Sequence, residues 1–128
     1  MIAIFAISFG AALGALARWG LSLWLNANAL APPLMPWGTL AANLIGGYLI
    51  GIVVAVLQGM PQLDPAWRLA IVTGFLGGLT TFSSFSAEVV NMLQQERYTV
   101  AIGTVLAHVM GSLVLTVAGM RTVGYWMR

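Results

Sequence analysis

The sequence of 128 residues has no cysteine, one histidine and few charged side chains. Without cysteine the chain can form neither a disulfide framework nor a thiolate metal site, and a single histidine cannot hold a metal ion alone. Charged residues make up only 6% of the chain. The five basic residues are all arginines and are widely spaced, which excludes a basic patch for binding nucleic acid.

Apolar side chains, in contrast, are abundant. Hydrophobic residues make up 60% of the chain, its mean hydropathy is +0.95, and the excess extends over the whole length. The surface of a soluble domain of this size is too large, relative to its core, to hide so much apolar side chain. The composition therefore predicts an all-α integral membrane protein, with residues 1–128 forming one transmembrane domain.

Four stretches are long enough to cross a bilayer, which takes about 20 apolar residues per helix. They are separated by proline and polar clusters at Pro32–Pro36, Gln58–Pro61 and Gln94–Arg97. The third stretch is longer than a perpendicular helix needs, which indicates a tilted or broken span. The predicted spans are about 2–25, 37–57, 66–93 and 99–120.

The arginines give almost no bias for orienting these spans. Four spans place Arg68, Arg121 and Arg128 on one side of the membrane, and Arg97 and Arg18 on the other. This near balance predicts insertion in both directions, or else an orientation set by one extra arginine or by the lipid composition. If both orientations occur, an antiparallel two-fold homodimer is the natural closed assembly.

The third span contains the segment Gly74-Phe-Leu-Gly-Gly-Leu-Thr-Thr-Phe-Ser-Ser-Phe-Ser86. Glycine, threonine and serine are poor helix formers, so this segment predicts a break in the helix. A break at membrane depth leaves N–H and C=O groups without helical partners, and it is tolerated only inside protein or along a water-filled path. The segment is therefore the first place to expect a ligand or an ion.

Polar side chains also lie within the second and fourth spans. Asn43 must either pair with a neighbouring helix or face a conduction path, and its two N–H donors suit a small anion. In the fourth span every fourth residue is polar, which places Thr104, His108, Ser112 and Thr116 along one face. The stripe favours a hydrated track over hydroxyls that only bond back to their own helix.

Other positions leave two interpretations open. Phe82 and Phe85 either pack in the core or turn their positive ring edges toward an anion. Arg18 either faces a water-filled vestibule or a partner, or extends its charge to the headgroups. Glu88 is either a proton or cation site, or a helix-end residue that reaches water. The small residues of Gly10–Gly14 are expected to form a packing seam between helices.

Three motifs resemble the Fluc (CrcB-like) fluoride channel family over essentially the whole chain. They are Gly10-Ala-Ala-Leu-Gly-Ala-Leu-Ala-Arg18-Trp19, Gly38-Thr-Leu-Ala-Ala-Asn43-Leu-Ile-Gly46-Gly-Tyr-Leu-Ile-Gly51 and the Gly74–Ser86 segment. The resemblance implies a dual-topology, antiparallel homodimer with two parallel pores, each lined by both subunits. It also implies passive export of fluoride through the bacterial inner membrane by a multi-pass protein that is not an enzyme.

The same resemblance assigns roles to individual residues. Asn43 would be the pore amide, and Phe82 and Phe85 would line the fluoride path. A structural Na+ at the dimer centre would be held by the backbone carbonyls of Gly77 and Thr80. Arg18 would lie near an aqueous vestibule. The pore would also be lined by Ser112, Thr116 and His108.

Two other functions fit part of the pattern. A small multidrug exporter also has four spans and the option of dual insertion, but a proton-coupled exporter needs an acidic residue in the middle of its first span, and this chain has none there. A packing subunit that transports nothing would explain the glycines, but neither the polar stripe nor the break.

Overall fold

The computed structural model describes residues 1–27 and 34–126 of the chain. Every regular element in these two ranges is helical. Part of the predicted break at Pro32–Pro36, and Arg128, lie outside the described residues. The elements in chain order are α1 (Ile2–Ala27), α2 (Trp37–Gln58), α3 (Pro65–Arg68), a π-helical segment (Leu69–Leu76), α4 (Gly77–Leu79), α5 (Phe82–Gln94) and α6 (Tyr98–Trp126).

Four helical stretches among the described residues are long and apolar enough to cross a membrane, with 26, 22, 30 and 29 residues. The third is the composite stretch Pro65–Gln94, from here on called span three. The predicted all-α membrane class and the number of spans are therefore confirmed. Helices α1 and α6 continue past the predicted ends of their spans, because no proline stops them there.

The large apolar side chains mostly lie on the outside of the bundle. Phe5 is 73% exposed and Leu113 is 59% exposed, whereas the buried hydrophobic cluster among the described residues consists of Ala42, Leu76 and Leu79. Exposing so many large apolar side chains to water would be unfavourable, whereas lipid tails solvate these side chains well. The molecule is a multi-pass membrane protein.

Glycines allow the helices to approach one another very closely. A Cβ atom on Gly47 of α2 would lie 3.0 Å from the Ser112 carbonyl oxygen of α6. A Cβ atom on Gly14 of α1 would lie 2.7 Å from the Leu79 backbone nitrogen of α4. The distance at Gly14 is too short for a real side chain and that at Gly47 is tighter than most side-chain contacts, so both glycines favour the close packing of α1 on α4 and of α2 on α6.

Span three breaks at two threonines. Thr80 (φ −82°, ψ 155°) and Thr81 (φ −150°, ψ 117°) are extended, and α5 begins at the next residue. Thr81 also caps α5, because its hydroxyl accepts a hydrogen bond from the Ser84 N–H at 3.1 Å. The break lies within the Gly74–Ser86 segment, as predicted, but the glycines of that segment remain in helical turns.

The first half of span three is π-helical over Leu69–Leu76, which the sequence pattern does not predict. The wider turn ends at Gly77, whose N–H donates to the carbonyls of Val72 and Gly74. Such wide turns occur frequently at functional sites. Here the π-helical segment lies directly before the break and packs against α1.

Candidate functional site

A cavity of about 480 Å³ lies beside the break in span three. It is bounded by α2, span three and α6, the elements that carry the polar positions noted in the sequence. None of the described residues that line it is Asp, Glu, Lys or Arg. The lining consists of Asn43, Gly46, Gly47, Ile50, Val72, Leu76, Gly77, Thr80, Thr81, Phe82, Phe85, His108, Val109, Ser112 and Thr116.

Asn43 of α2 pairs with the backbone at the break. Its Oδ1 atom accepts from the Thr81 N–H at 2.7 Å, and its Nδ2 atom donates to the Thr81 carbonyl oxygen at 3.0 Å. The Thr81 N–H lost its helical acceptor, the Gly77 carbonyl, when the chain became extended, and the amide oxygen replaces that acceptor. The Thr81 carbonyl is at the N-cap of α5, where it accepts the first bond of that helix, and the amide N–H adds a second donor. We call these two bonds the Asn43 latch.

The second N–H of the Asn43 amide fixes the hydrogen position on His108. The Nδ2 atom lies 3.0 Å from His108 Nδ1, and an amide nitrogen can only donate. Nδ1 therefore accepts, and the neutral imidazole carries its hydrogen on Nε2, an assignment inferred from the hydrogen-bond network. The Nε2 atom is buried and has no hydrogen-bond partner within residues 1–27 and 34–126.

This geometry leaves histidine with an N–H donor that has no partner, beside the cavity. The prediction that Asn43 supplies the pore amide stays a prediction, since both of its donors already bond to protein atoms. His108 lines the cavity, and its Nε2–H is buried without a partner among the described residues. A buried donor without a partner is costly, so a water or anion that reached it would be stabilised there.

Phe82 and Phe85 form an aromatic pair at the start of α5. Their ring centroids lie 5.6 Å apart and the ring planes are tilted by 56°. The Phe85 ring is buried and lies 4.6 Å from the imidazole of His108, whereas Phe82 is 79% exposed. The pair thus runs from the Asn43–His108 cluster to the outer rim of the cavity.

The polar stripe of α6 divides into two parts. Thr104 is fully buried, donates to its own helix at the Val100 carbonyl and does not line the cavity. Thr116 lines it, but its hydroxyl is 2.9 Å from the Gly47 carbonyl oxygen and 2.8 Å from that of Ser112. Ser112 lines the cavity, and its hydroxyl has no partner in the described ranges. Hydroxyls that hold helices together and hydroxyls that face the cavity therefore both occur in this stripe.

Gly77 and Thr80 present carbonyl groups that have lost their helical donors. In a continuous helix Gly77 would accept from the Thr81 N–H, and Thr80 from the Ser84 N–H. The Thr81 N–H donates to Asn43 instead, and the Ser84 N–H donates to the Thr81 hydroxyl. Oxygen atoms of this kind suit a hard cation such as Na+, so the two residues fit the ion that the family resemblance implies.

No group of three or more His, Cys, Asp or Glu side chains that could hold a metal ion occurs among the described residues.

Arg18 and Glu88 each form a hydrogen bond with another helix. The Nε–H of Arg18 donates to the Gly78 carbonyl oxygen at 3.2 Å, so the residue contacts span three at the break; its vestibule role stays a prediction. Glu88 accepts from the Thr39 hydroxyl through Oε1 at 2.6 Å. Its Oε2 atom is buried without a partner in the described part of the chain.

Thr81 has a role at the site that the sequence pattern does not indicate. It supplies both backbone groups of the Asn43 latch and the cap of α5. A signal for the cap was present, because threonine is among the residues that are favoured at the N-cap position of a helix. The latch joins residues 38 positions apart, and no local pattern in the sequence indicates it.

Comparison with known families adds to this geometry. The family described as "CrcB-like protein, Camphor Resistance (CrcB)" matches residues 5–120, which is most of the chain. The chain belongs to the CrcB-like family. The resemblance noted from the three sequence motifs is therefore confirmed.

Similar members of the CrcB-like family carry the name "Fluoride-specific ion channel FluC". The chain is 66% identical to the protein from Albidiferax ferrireducens over 95% of this chain and 91% of that one. It is 62% identical to the protein from Variovorax paradoxus, over 96% of this chain and 95% of that one. For the protein from Chromobacterium violaceum the identity is 56%, over 98% of this chain and 96% of that one. These relatives are named as ion channels, which are not enzymes.

Proposed function

We propose that this protein is a fluoride-selective channel that lets fluoride leave the cytoplasm passively, in a bacterial inner membrane. The observation that carries the proposal is the uncharged cavity at the break, whose lining includes Asn43, His108 and Ser112. The names of its relatives support fluoride as the transported ion.

The chemistry of the cavity suits a small anion that must both enter and leave. Fluoride is strongly hydrated, so a selective path must replace its water with donors at close range. The His108 Nε2–H, the Ser112 hydroxyl and the ring edges of the Phe82–Phe85 pair are partners of this kind. A fixed positive charge among them would hold the anion too tightly for conduction.

We further propose that the working unit is an antiparallel homodimer with two pores. Phe82 is 79% exposed although it lines the cavity, and the neighbouring Gly77 is also exposed, so one chain leaves the site open on this side. A second copy packed there would close the cavity. The near-balanced arginines support insertion in both orientations, which an antiparallel dimer requires.

The same arrangement would place two broken spans side by side at the dimer centre. The carbonyl groups of Gly77 and Thr80, released from helical bonding, would there hold a structural Na+ through backbone oxygens. A bound cation would supply positive potential at a distance from the pore and would satisfy the carbonyl groups at once. Arg18 contacts the same short helix α4, because its Nε–H donates to the Gly78 carbonyl oxygen.

Fluoride efflux from liposomes tests the proposal. Purified protein should release fluoride down its gradient, and Phe82→Ile or Phe85→Ile should abolish release while the dimer stays intact. Aliphatic side chains keep the bulk but lose the positive ring edge. Phe5→Ile is the matched control, because Phe5 is 73% exposed on α1 and does not line the cavity. Unchanged efflux in both cavity variants would make the rings ordinary packing residues.

A further inference from the structure

Arg18 takes the place of a missing backbone donor. In a continuous helix the Gly78 carbonyl would accept from the Phe82 N–H, four residues later. The extended backbone of Thr80 and Thr81 removes that bond. The Arg18 Nε–H, 60 residues away in sequence, donates to this carbonyl at 3.2 Å instead.

The packing of α1 holds Arg18 at this carbonyl. A Cβ atom on Gly14 would lie 2.7 Å from the Leu79 nitrogen, and one on Gly78 would lie 3.1 Å from the Ala11 Cα atom. The two backbones therefore touch along α4. Gly14 and Arg18 are four residues apart, so they share one face of α1, and the face that contacts α4 also presents the arginine.

We propose that Arg18 is a positioning residue for the helix break. Its Nε–H anchors the end of α4 so that Thr81 stays extended for the Asn43 latch and Phe82 begins α5 at the rim of the cavity. The inference rests on the proposed channel function. It differs from the vestibule role that the family resemblance implies, because the atom that matters is Nε and not the charge.

Two substitutions separate the hydrogen bond from the charge. Glutamine carries its amide nitrogen on Cδ, where arginine carries Nε, so Arg18→Gln keeps a donor at this position and loses the charge. Lysine has a methylene group at the same position, so Arg18→Lys keeps the charge but moves the donor one atom further out. Arg18→Met removes both.

The positioning role predicts that Arg18→Gln retains much of the maximal fluoride current, whereas Arg18→Lys and Arg18→Met lose about tenfold or more. A high fluoride concentration should not restore the current of the last two variants. In the positioning role these substitutions lower the number of competent pores, whereas the local anion concentration stays the same. A vestibule charge predicts the opposite order, with Arg18→Lys active and Arg18→Gln recovering at high fluoride. That order, or equal currents in all variants, would overturn the inference.

Arg97→Gln is the matched control for charge and insertion. Arg97 was placed on the same side of the membrane as Arg18 by the four-span topology, and its Nη2 atom donates to the Leu34 carbonyl, away from the break. It should behave like the wild type. If it loses as much current as Arg18→Met, the effect of Arg18 comes from altered insertion and the inference fails.

Amide hydrogen exchange tests the inference without any transport. In detergent-purified protein, peptides that cover Thr80 and Thr81 should exchange about tenfold faster in Arg18→Met and Arg18→Lys than in Arg18→Gln or the wild type. Equal protection in all four proteins would overturn the positioning role. If the wild type passed no fluoride but the exchange pattern held, the channel proposal would fail and the role of Arg18 at the break would stand.

Discussion

The Asn43→Asp substitution removes the donors of the latch and adds a carboxyl group to the cavity. Aspartate has nearly the same size and still presents an oxygen to the Thr81 N–H, which lies 2.7 Å from Oδ1 in the structure. The second side-chain atom becomes a carboxylate oxygen, which accepts only. It then faces the Thr81 carbonyl oxygen, another acceptor, and His108 Nδ1, each 3.0 Å from Asn43 Nδ2. The imidazole can donate to this carboxylate only by moving its hydrogen from Nε2 to Nδ1.

The expected cost follows from the lost bond to the Thr81 carbonyl oxygen. Taking a donor away from a buried acceptor costs about 1–3 kcal/mol, and Thr81 is only 8% exposed. A penalty of about 3 kcal/mol shifts the equilibrium between a closed and an open latch by about a hundredfold. His108 also loses the contact that fixes its hydrogen on Nε2.

The assay pairs liposome fluoride efflux with denaturant unfolding in detergent. Asn43→Asp should lower the efflux rate by about a hundredfold and the free energy of unfolding by a few kcal/mol. Asn91→Asp is the matched control, since Asn91 is exposed and only accepts a bond from Gln95. Wild-type efflux and stability in Asn43→Asp would refute the claim that the latch holds the break.

Three further predictions follow from the packing, the carbonyl groups and the arginine balance. In the unfolding assay, Gly14→Ala should lower the free energy of unfolding by about 1–3 kcal/mol and reduce the yield of folded protein, because its Cβ would lie 2.7 Å from the Leu79 nitrogen. Gly103→Ala is the control and should show no loss of stability, because no atom of a neighbouring element lies within 4 Å of its Cβ position. Replacing Na+ with a large organic cation should weaken the dimer and the fluoride current, and unchanged association in sodium-free buffer would argue against the cation. A cysteine placed at the N-terminus should be labelled from both faces of the membrane, and labelling from one face alone would rule out dual topology.

The sequence predicts the coarse architecture well, because hydropathy acts over lengths of about 20 residues. Long apolar stretches between proline and polar clusters were sufficient to predict four spans, and the Gly74–Ser86 segment located the break. The mechanism assumed for the break was incomplete. The glycines Gly74 and Gly78 stay helical and serve close packing against α1, and the β-branched Thr80 and Thr81 are the residues that become extended.

The site was predictable only as a set of residues. Periodicity identified His108, Ser112 and Thr116 on one face of α6, and all three line the cavity. It could not show that Asn43 bonds to Thr81, because that contact depends on how two distant helices pack. The π-helical turns of Leu69–Leu76 were also beyond reach, since the spacing of apolar residues does not distinguish them from an α-helix in an apolar span.

The most direct test of the fluoride channel is an electrical measurement on the reconstituted wild-type protein. In a planar bilayer with fluoride on one side and chloride on the other, the current should be carried almost entirely by fluoride. The reversal potential should therefore move toward the equilibrium potential of fluoride and follow changes in its concentration. Equal permeation of chloride, or no current from a dimeric and well-reconstituted sample, would contradict the account.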